Sequence, residues 1–540
     1  MIGRTLTLSL PRVGGPRLVR DNHSVIASLL TGYPRQVLFS LLVAAGYFIG
    51  TRIGFVLKLH DTPISTFWPP NAILLAAFLL APVRMWWIIL LAVFPAHLLA
   101  QLPAGRPLLT VCGLFISNSA EGLVGAACIR HFKKPEELFE DVSGVLVFLG
   151  FAIFFAPLAS SFVDAAVVVS TGFGNGYWKL WTSRLFSNML ADITVAPTII
   201  VWTLNGRRWL RHLTPARIIE AVLLGAGIIS VSNAVFGIAH PTIPALMFSP
   251  LPLVLWIVVR FGVAGLYPSL LAISTISIWH ATHGRDPFIF APMAESILGI
   301  QIFLCTIALP MMLLAAVLAE RNAVEETLRQ SRGKLIDAQE QERRRIAREL
   351  HDDIGQQLTL LELELDQLRV QSSEELKPII DKLYRQAADT SAATRSLSHD
   401  LHSTHLEFLG LVSALRNLCE TVTQETSIEV SFAEENVTAN LNPQISLCLY
   451  RVAQEALHNV ARHSHAHTVQ VQLRGRGERI SLHIADDGIG IPPERERSVA
   501  LGLASMRERV TLVGGTFTLC SEPMRGTMIE ADIPIKSAQS

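Results

Sequence analysis

Long apolar runs fill the chain from Gln36 to Ala319, broken by Pro, Gly and short basic clusters, and give way at Glu320 to Glu-, Arg- and Gln-rich sequence with helical periodicity. A helix crossing bilayer hydrocarbon needs about 20 mostly apolar residues. Runs of that kind begin near Gln36, Phe67, Met85, Leu108, Ser143, Phe186, Ile218, Ile243, Gly262 and Ser296, which predicts about ten spans. The runs at Phe67 and Met85 are short and separated only by Ala81 to Arg84. A re-entrant pair or merged segment there brings the expectation into an even range of about eight to ten.

Loop charges orient these spans, because cytoplasmic loops collect Lys and Arg. On the ten-span reading one side holds Arg4, Arg12, Arg17, Arg20, Arg35, Arg84, Arg130, Lys133, Lys134, Arg207, Arg208, Arg211, Arg217 and Arg260, against Lys58, Arg106, Lys179, Arg184 and Arg285. The bias predicts a multi-pass membrane protein with both termini cytoplasmic, and 1–35 as a basic cytoplasmic tail without a cleavable signal; the family resemblances given below imply that the membrane is a bacterial inner membrane. Glu121 with Asn118, Asp164, and Asp192 with Asn188 fall inside spans. Such groups face a bundle interior or a cavity, so interhelical hydrogen bonding and ligand contact are both open.

The 540 residues carry zero formal net charge. That sum joins a membrane half to a soluble half that meet different solvents, so it carries no information about partners; no direct nucleic-acid partner is expected. Cys112, Cys128, Cys305, Cys419, Cys448 and Cys520 are scattered without metal-ligand spacing and read as apolar thiols in a reducing compartment.

From 320 to the middle of the soluble half the chain has no Pro and a single Gly before His351, which predicts one long helix. Val324, Leu328, Ser331, Leu335, Ala338 and Glu342 alternate spacings of four and three, a weak coiled-coil seam, before the pattern slips to Ile346 and Leu350. Leu350, Ile354, Gln357, Leu358, Leu361, Leu365 and Leu368 then share one stripe, with His351 on its flank beside Arg344, Arg348 and Gly355. A neutral imidazole nitrogen can attack a phosphoryl group if a carboxylate such as Asp352 holds the other nitrogen's proton. Leu376, Ile380, Leu383, Ala387, Thr390, Thr394, Leu397 and Leu401 form the inward row of a second helix over 374–402. Two such hairpins make a four-helix dimer bundle.

Downstream the pattern turns mixed: strands at 428–432, 468–473, 480–486, 516–521 and 528–535, and helices over 444–463 and 502–513. This is an α/β sandwich without a Walker phosphate loop. Glu455 and Asn459 lie four apart on one helix face, able to approach a metal-bound triphosphate together. Asp486, Gly488 and Gly490 form a DxGxG turn, in which Asp can accept from an adenine amino group while the glycines admit the nucleotide. Gly502 is expected to open a helix whose free amides face phosphate, and Gly526 with Thr527 supplies another close approach. In HSHAH the alternation of His463, His465 and His467 is explained by a solvated helix end rather than a metal site.

Three stretches resemble known families. The WPP turn at Trp68 to Pro70, with the run after it and the Asn/Glu-bearing span from Ser117 to Phe132, resembles the first class of membrane-associated sensor (MASE) domains over roughly 36–319. Such domains precede bacterial signalling enzymes, which implies a sensor whose small-molecule or membrane stimulus is unknown. The motif ERRRIARELHDDIGQQL closely resembles the phosphoacceptor box of histidine kinases that partner NarL-type regulators. The resemblance implies phosphorylation of His351, a base role for Asp352, and orientation by Gln356 of the water that dephosphorylates the regulator. Where that family often has Leu-Arg-Pro, this chain has Leu401, His402 and Ser403. RVAQEALHNVARHS and LGLASMRERVTLVGG resemble the kinase branch of the GHKL ATPases. There Asn459 would ligate Mg²⁺, Glu455 would position or polarise it, Asp486 would recognise adenine, and His463 would lie near the phosphates. Ala500 departs from the Gly that often begins the nucleotide lid.

The expected fold is a polytopic α-helical membrane domain (36–319), a coiled-coil signalling helix (320–343), a dimeric four-helix-bundle phosphoacceptor domain (344–408) and a GHKL-type α/β sandwich ATPase domain (409–540). The expected function is ATP- and Mg²⁺-dependent autophosphorylation of a homodimer at His351, followed by transfer to a separate NarL/LuxR-type response regulator. Two rivals stand beside it. One is a membrane transporter or ligand-binding protein with a regulatory ATPase domain; the other keeps the fold as a phosphatase or scaffold whose lid Ala500 disables.

Overall fold

The computed structural model describes residues 32–58, 65–211, 213–237, 244–285, 293–372, 376–401, 404–437, 441–491 and 496–535. Arg4, Arg12, Arg17 and Arg20 of the basic tail, and His402 and Ser403, lie outside them. The chain divides into two compact units between Thr327 and Leu328.

The first unit contains α1 (Tyr33–Val56), α2 (Pro69–Leu80), α3 (Trp86–Gln101), α4 (Leu108–Phe132), α5 (Val142–Ser170), α6 (Tyr177–Arg211), α7 (Pro215–Phe236), α8 (Leu251–Thr282) and the start of α9 (Met293–Glu349). Among the described residues, eight helices are long and apolar enough to cross a membrane. This falls short of the ten expected runs at two places. The Phe67 run yields only α2, because Pro69 and Pro70 start it and Ala81 turns extended after it. At about 1.5 Å per residue those twelve residues cover roughly 18 Å, too little to span. The runs near Ile243 and from Gly262 are counted together as α8, which is two helical segments meeting at a kink where Gly262 takes a non-helical φ of +61°.

Helix ends inside a membrane must find partners for their free carbonyls. Arg130 of α4 supplies them for α2, its Nη2 donating to the carbonyls of Phe78, Leu79 and Ala81. Trp86 Nε1 donates to Phe78 as well. So capped, α2 is buried along nearly its whole length, packed against α1, α4 and α6.

In the second unit α9 runs to Glu349 and passes through a π-helical turn, Leu350–Ile354, into α10 (Gly355–Gln371). α10 packs against α11 (Lys377–Leu401). Within one chain Ala387 of the expected α11 row is buried, as is Ser391, while Leu376, Leu383, Thr390 and Leu397 of that row are exposed. The exposed four recur every seven residues, as do the exposed Ile354, Leu361 and Leu368 around α10.

After α12 (Thr404–Glu425) come β1 (Glu429–Glu435), α13 (Pro443–Asn459), β2 (Thr468–Arg476), β3 (Arg479–Asp486), α14 (Glu496–Leu512), β4 (Thr516–Ser521) and β5 (Thr527–Pro534). The sheet order is β1-β2-β3-β5-β4, parallel only between β1 and β2. Alternate residues of its central strands are buried: Val469, Val471 and Leu473; Ile480, Leu482 and Ile484; Ile529, Ala531 and Ile533. They join Leu449, Val452, Ala453 and Ala456 of α13 and Met506 and Val510 of α14 in one core. Period-two burial on strands against a 3.6-residue period on helices makes this a two-layer α/β sandwich.

Candidate functional site: a nucleotide cavity and an exposed histidine

α13 begins at Pro443, whose fixed φ suits the first turn, and Asn442 caps it by accepting from the Gln444 amide at 2.9 Å. Its far end unwinds into a π-helical turn, Val460–Ser464. Beside that end lies a cavity of about 340 Å³ lined by Asn459, His463, Asp486, Gly490, Leu503 and Thr527, with Ile484, Ile489 and Ile529 as its apolar wall. Five of the expected site residues, Asn459, His463, Asp486, Gly490 and Thr527, thus share one cavity. Asn459 Nδ2 is buried in it without a hydrogen-bond partner.

Three glycines let backbone segments close around Asp486. A Cβ on Gly526 (φ +82°) would sit 1.9 Å from the Asp486 carbonyl oxygen, one on Gly490 (φ +71°) 2.4 Å from that of Glu522, and one on Gly488 2.3 Å from that of Ser464. Asp486 Oδ1 accepts from the Gly488 amide at 3.0 Å. Burial pushes the Asp486 carboxyl above its ordinary range. Asp487 beside it does structural work: it accepts from the His467 and Thr468 amides and the Thr468 hydroxyl, and the Thr468 amide above all holds its carboxyl below the ordinary range.

Gly502 does not open a helix. α14 starts at Glu496, so Gly502 lies inside it, where its amide belongs to the helical ladder. What the glycine provides is space: a Cβ there would be 2.3 Å from Glu455 Oε1 and 3.6 Å from Asn459 Nδ2. Glu455 and Asn459 therefore come together under α14. The Asn459 atom beside Glu455 is its amide nitrogen, which donates and cannot ligate a metal; with the amide turned so that its oxygen faces Glu455, one carboxylate and one amide oxygen on adjacent turns would fit a magnesium ion that takes its remaining ligands from phosphate and water. Ala500 falls within α14 as well.

His351, Asp352 and Gln356 are exposed. His351 and Gln356 line an open groove with Gly355, Thr359 and Leu360 and with Arg395 of α11, which bonds Ser391 at 2.8 Å. Neither this groove nor the nucleotide cavity includes a residue of the other.

Sequence reasoning missed Glu340. It lies on α9 and is only 7% exposed, and its carboxylate bonds Arg451 of α13 at 2.9 and 3.2 Å and Arg509 of α14 at 2.7 Å. Arg332 and Glu508 add an exposed pair at 3.9 Å. Burial alone would raise the Glu340 carboxyl; the charges of Arg451 and Arg509 outweigh it and hold the group below its ordinary range.

Residues 39–322 match the MASE1 family, 342–406 the histidine kinase family HisKA_3, and 445–537 the histidine kinase-, DNA gyrase B-, and HSP90-like ATPase family. The oxygen sensor histidine kinase NreB of Staphylococcus carnosus is 34% identical over 206 residues, 37% of this chain and 59% of that protein. The histidine-protein kinase/phosphatase DegS of Brevibacillus brevis is 31% identical over 211 residues, 38% and 54% respectively. For UhpB of Salmonella typhimurium, also a kinase/phosphatase, the values are 35% over 211 residues, 37% and 40%. The chain thus spans about half the length of these curated relatives. The first match takes in more than half of the 540 residues, and the chain belongs to the MASE1 family of membrane sensor domains, followed here by the HisKA_3 and ATPase modules of a histidine kinase.

Proposed function

We propose that this protein is a sensor histidine kinase of a two-component system that autophosphorylates His351 with ATP and passes the phosphoryl group to an Asp of a separate NarL/LuxR-type response regulator. The observation that carries the reading is the nucleotide cavity, where the unpartnered Asn459 Nδ2, the Asp486 carboxylate and an apolar wall meet in a chain that also presents an exposed His351. Asp486 would accept from the adenine amino group, and Asn459, through its amide oxygen, and Glu455 would hold Mg²⁺. The ion supplies positive charge against the negative charge that develops on the phosphates. His351 attacks the γ-phosphorus through its neutral nitrogen, the bond to the ADP oxygen breaks, and Asp352 takes the other ring proton. Gln356, in the same groove, orients water for dephosphorylating the regulator, so kinase and phosphatase activities share one surface.

The seven-residue rows left exposed on α10 and α11 support a homodimer, since a second copy would bury them as a four-helix bundle. The loop-charge bias supports a membrane protein with both termini cytoplasmic; the family matches over 39–322, 342–406 and 445–537 and the likeness to bacterial kinases support an inner-membrane location, with 36–319 as the sensor, 320–343 as the signalling helix, 344–408 as the phosphotransfer domain and 409–540 as the catalytic domain. The test is incorporation of γ-labelled ATP into the full chain in detergent. Acid-labile, base-stable label is expected, absent from His351→Gln and Asn459→Ala. Label persisting in His351→Gln would refute the assignment.

A further inference from the structure

Arg451 stands on α13 one helical turn before Glu455 and two before Asn459, so the three share a face. On α14, Arg509 lies two turns beyond Gly502. The two helices therefore meet at two levels. Beside the nucleotide cavity, the space left by Gly502 brings α14 against Glu455 and Asn459, and Leu503 lines the cavity itself. Roughly 10 Å further along α14, Arg451 and Arg509 both reach Glu340. Its Oε2 accepts from Arg451 Nη2 at 2.9 Å and Nε at 3.2 Å, and its Oε1 from Arg509 Nη1 at 2.7 Å.

The side chains of Arg451, Glu340 and Arg509 are 4%, 9% and 10% exposed, so salt and water screen them poorly. Without the carboxylate the two guanidinium groups would face each other as like charges across the seam between α13 and α14. Gln454 Oε1 also accepts from Arg451, at 2.6 Å, but brings no charge. Glu340 belongs to neither of these helices. It is carried on α9, which meets α14 again at the Arg332–Glu508 pair and at Gly333, where a Cβ would lie 3.5 Å from Leu512 Cδ2. The anion that settles the α13–α14 seam thus sits on the same helix that begins in the membrane unit.

Resting on the reading of the cavity as an ATP site, we propose that Glu340 is a positioning residue for that site. By cancelling the repulsion between Arg451 and Arg509 it holds α14 against α13, keeps Gly502 and Leu503 seated beside Glu455 and Asn459, and makes ATP affinity depend on the seating of the signalling helix. Linkage requires the reverse as well: bound nucleotide tightens the hold of α13 and α14 on α9.

The test is equilibrium binding of a β,γ-imido analogue of ATP, with Mg²⁺, to the full chain in detergent. Glu340→Gln, which keeps the shape and removes the charge, should weaken binding about fivefold or more. Adding Arg509→Gln to that variant removes the like-charge pair and should recover most of the lost affinity, although the contact with α9 stays broken. A contact that served docking alone would not be rescued in this way. Wild-type affinity in a folded Glu340→Gln chain, or equally weak binding by the double variant, overturns the proposal and leaves the ATP site standing. If the folded wild-type chain binds no nucleotide, the ATP reading fails and the proposal with it. Hydrogen exchange on the wild-type chain needs no variant: the nucleotide should slow exchange over 332–343, and unchanged rates there, with nucleotide bound, overturn the proposal.

Discussion

Replacing Glu340 by Ala removes a carboxylate that joins α9 to both α13 and α14. Taking one partner from a buried ion pair costs about 3–5 kcal/mol, mostly because the remaining charge is stranded. Here the lower figure applies: Arg451 keeps Gln454 at 2.6 Å, and the exposed Arg332–Glu508 pair adds at most ~1 kcal/mol. A loss of about 3 kcal/mol lowers the ratio of docked to undocked catalytic domain roughly hundredfold. Amide hydrogen exchange reads this directly, as lost protection around Glu340 and Arg451 with the core of the sheet unchanged. In a cycle with Arg451→Ala, the coupling should reach about 2 kcal/mol or more. Because neither the His351 groove nor the nucleotide cavity contains a residue of the other, undocking should also raise the initial rate of autophosphorylation. Unchanged protection together with a coupling below about 0.5 kcal/mol would refute the clamp. Its pH dependence has a definite sign. The depressed Glu340 carboxyl contributes stability above the ordinary glutamate range, and loses it as pH falls through the lowered value.

Asp486→Asn should raise the melting temperature of the nucleotide-free chain at neutral pH while weakening ATP binding. The folded-state pKa of Asp486 is raised, so its favourable contribution exists only below the ordinary aspartate range and is lost as pH rises, leaving the ionised group a cost that Asn removes; a lower melting temperature without ATP would contradict this. Gly526→Ala combines φ +82° with a Cβ 1.9 Å from the Asp486 carbonyl and should destabilise the catalytic domain by about 2 kcal/mol or more in urea unfolding. Gly502→Ala should spare folding more than ATP affinity, since its Cβ meets a flexible Glu455 oxygen rather than backbone; calorimetric titration with ATP and Mg²⁺ checks it. Leu361→Glu together with Leu383→Glu, both on exposed seven-residue rows, should yield monomers by light scattering.

What the sequence shows and hides has physical causes. Strand alternation is local, so β3, expected over 480–486, is found at Arg479–Asp486, and β4 coincides with its expected range. Hydropathy also locates the apolar runs, but it is blind to where a helix is stopped. The short α2 depends on Arg130, which reaches back about fifty positions to cap it, and Gly262 bends α8 without interrupting its apolarity. Five residues lining the cavity beside α13 were singled out in the sequence because close approach demands glycine and because their order and spacing resemble the GHKL ATPases. The Glu340 clamp was not, since its arginines lie 111 and 169 positions away and nothing in a helical period marks a charge that will be buried.

The helix that carries His351 shows how a small departure from ideal geometry separates two jobs that one stripe seemed to hold. At 100° per residue, Leu350, Ile354, Leu358, Leu361, Leu365 and Leu368 share a face. In the structure Leu365 is buried and Leu358 half-buried, while Ile354, Leu361 and Leu368 stay exposed. A four-helix dimer requires this division, because each helix meets one neighbour in its own chain and others in the second copy. The π-helical turn at Leu350–Ile354 adds a residue to the local turn and so rotates the faces of α9 relative to those of α10. His351 sits within that turn and points to solvent, between Ala347, whose carbonyl takes a hydrogen bond from Ser398, and the exposed row beginning at Ile354. His351 thereby stays accessible on a helix whose flanking residues are committed to packing. Lengthening the turn or restoring a regular α-helix by a one-residue insertion or deletion between Leu350 and Gly355 should therefore abolish His351 labelling while leaving ATP binding intact; labelling that survived either change would show that the turn has no part in presenting the histidine.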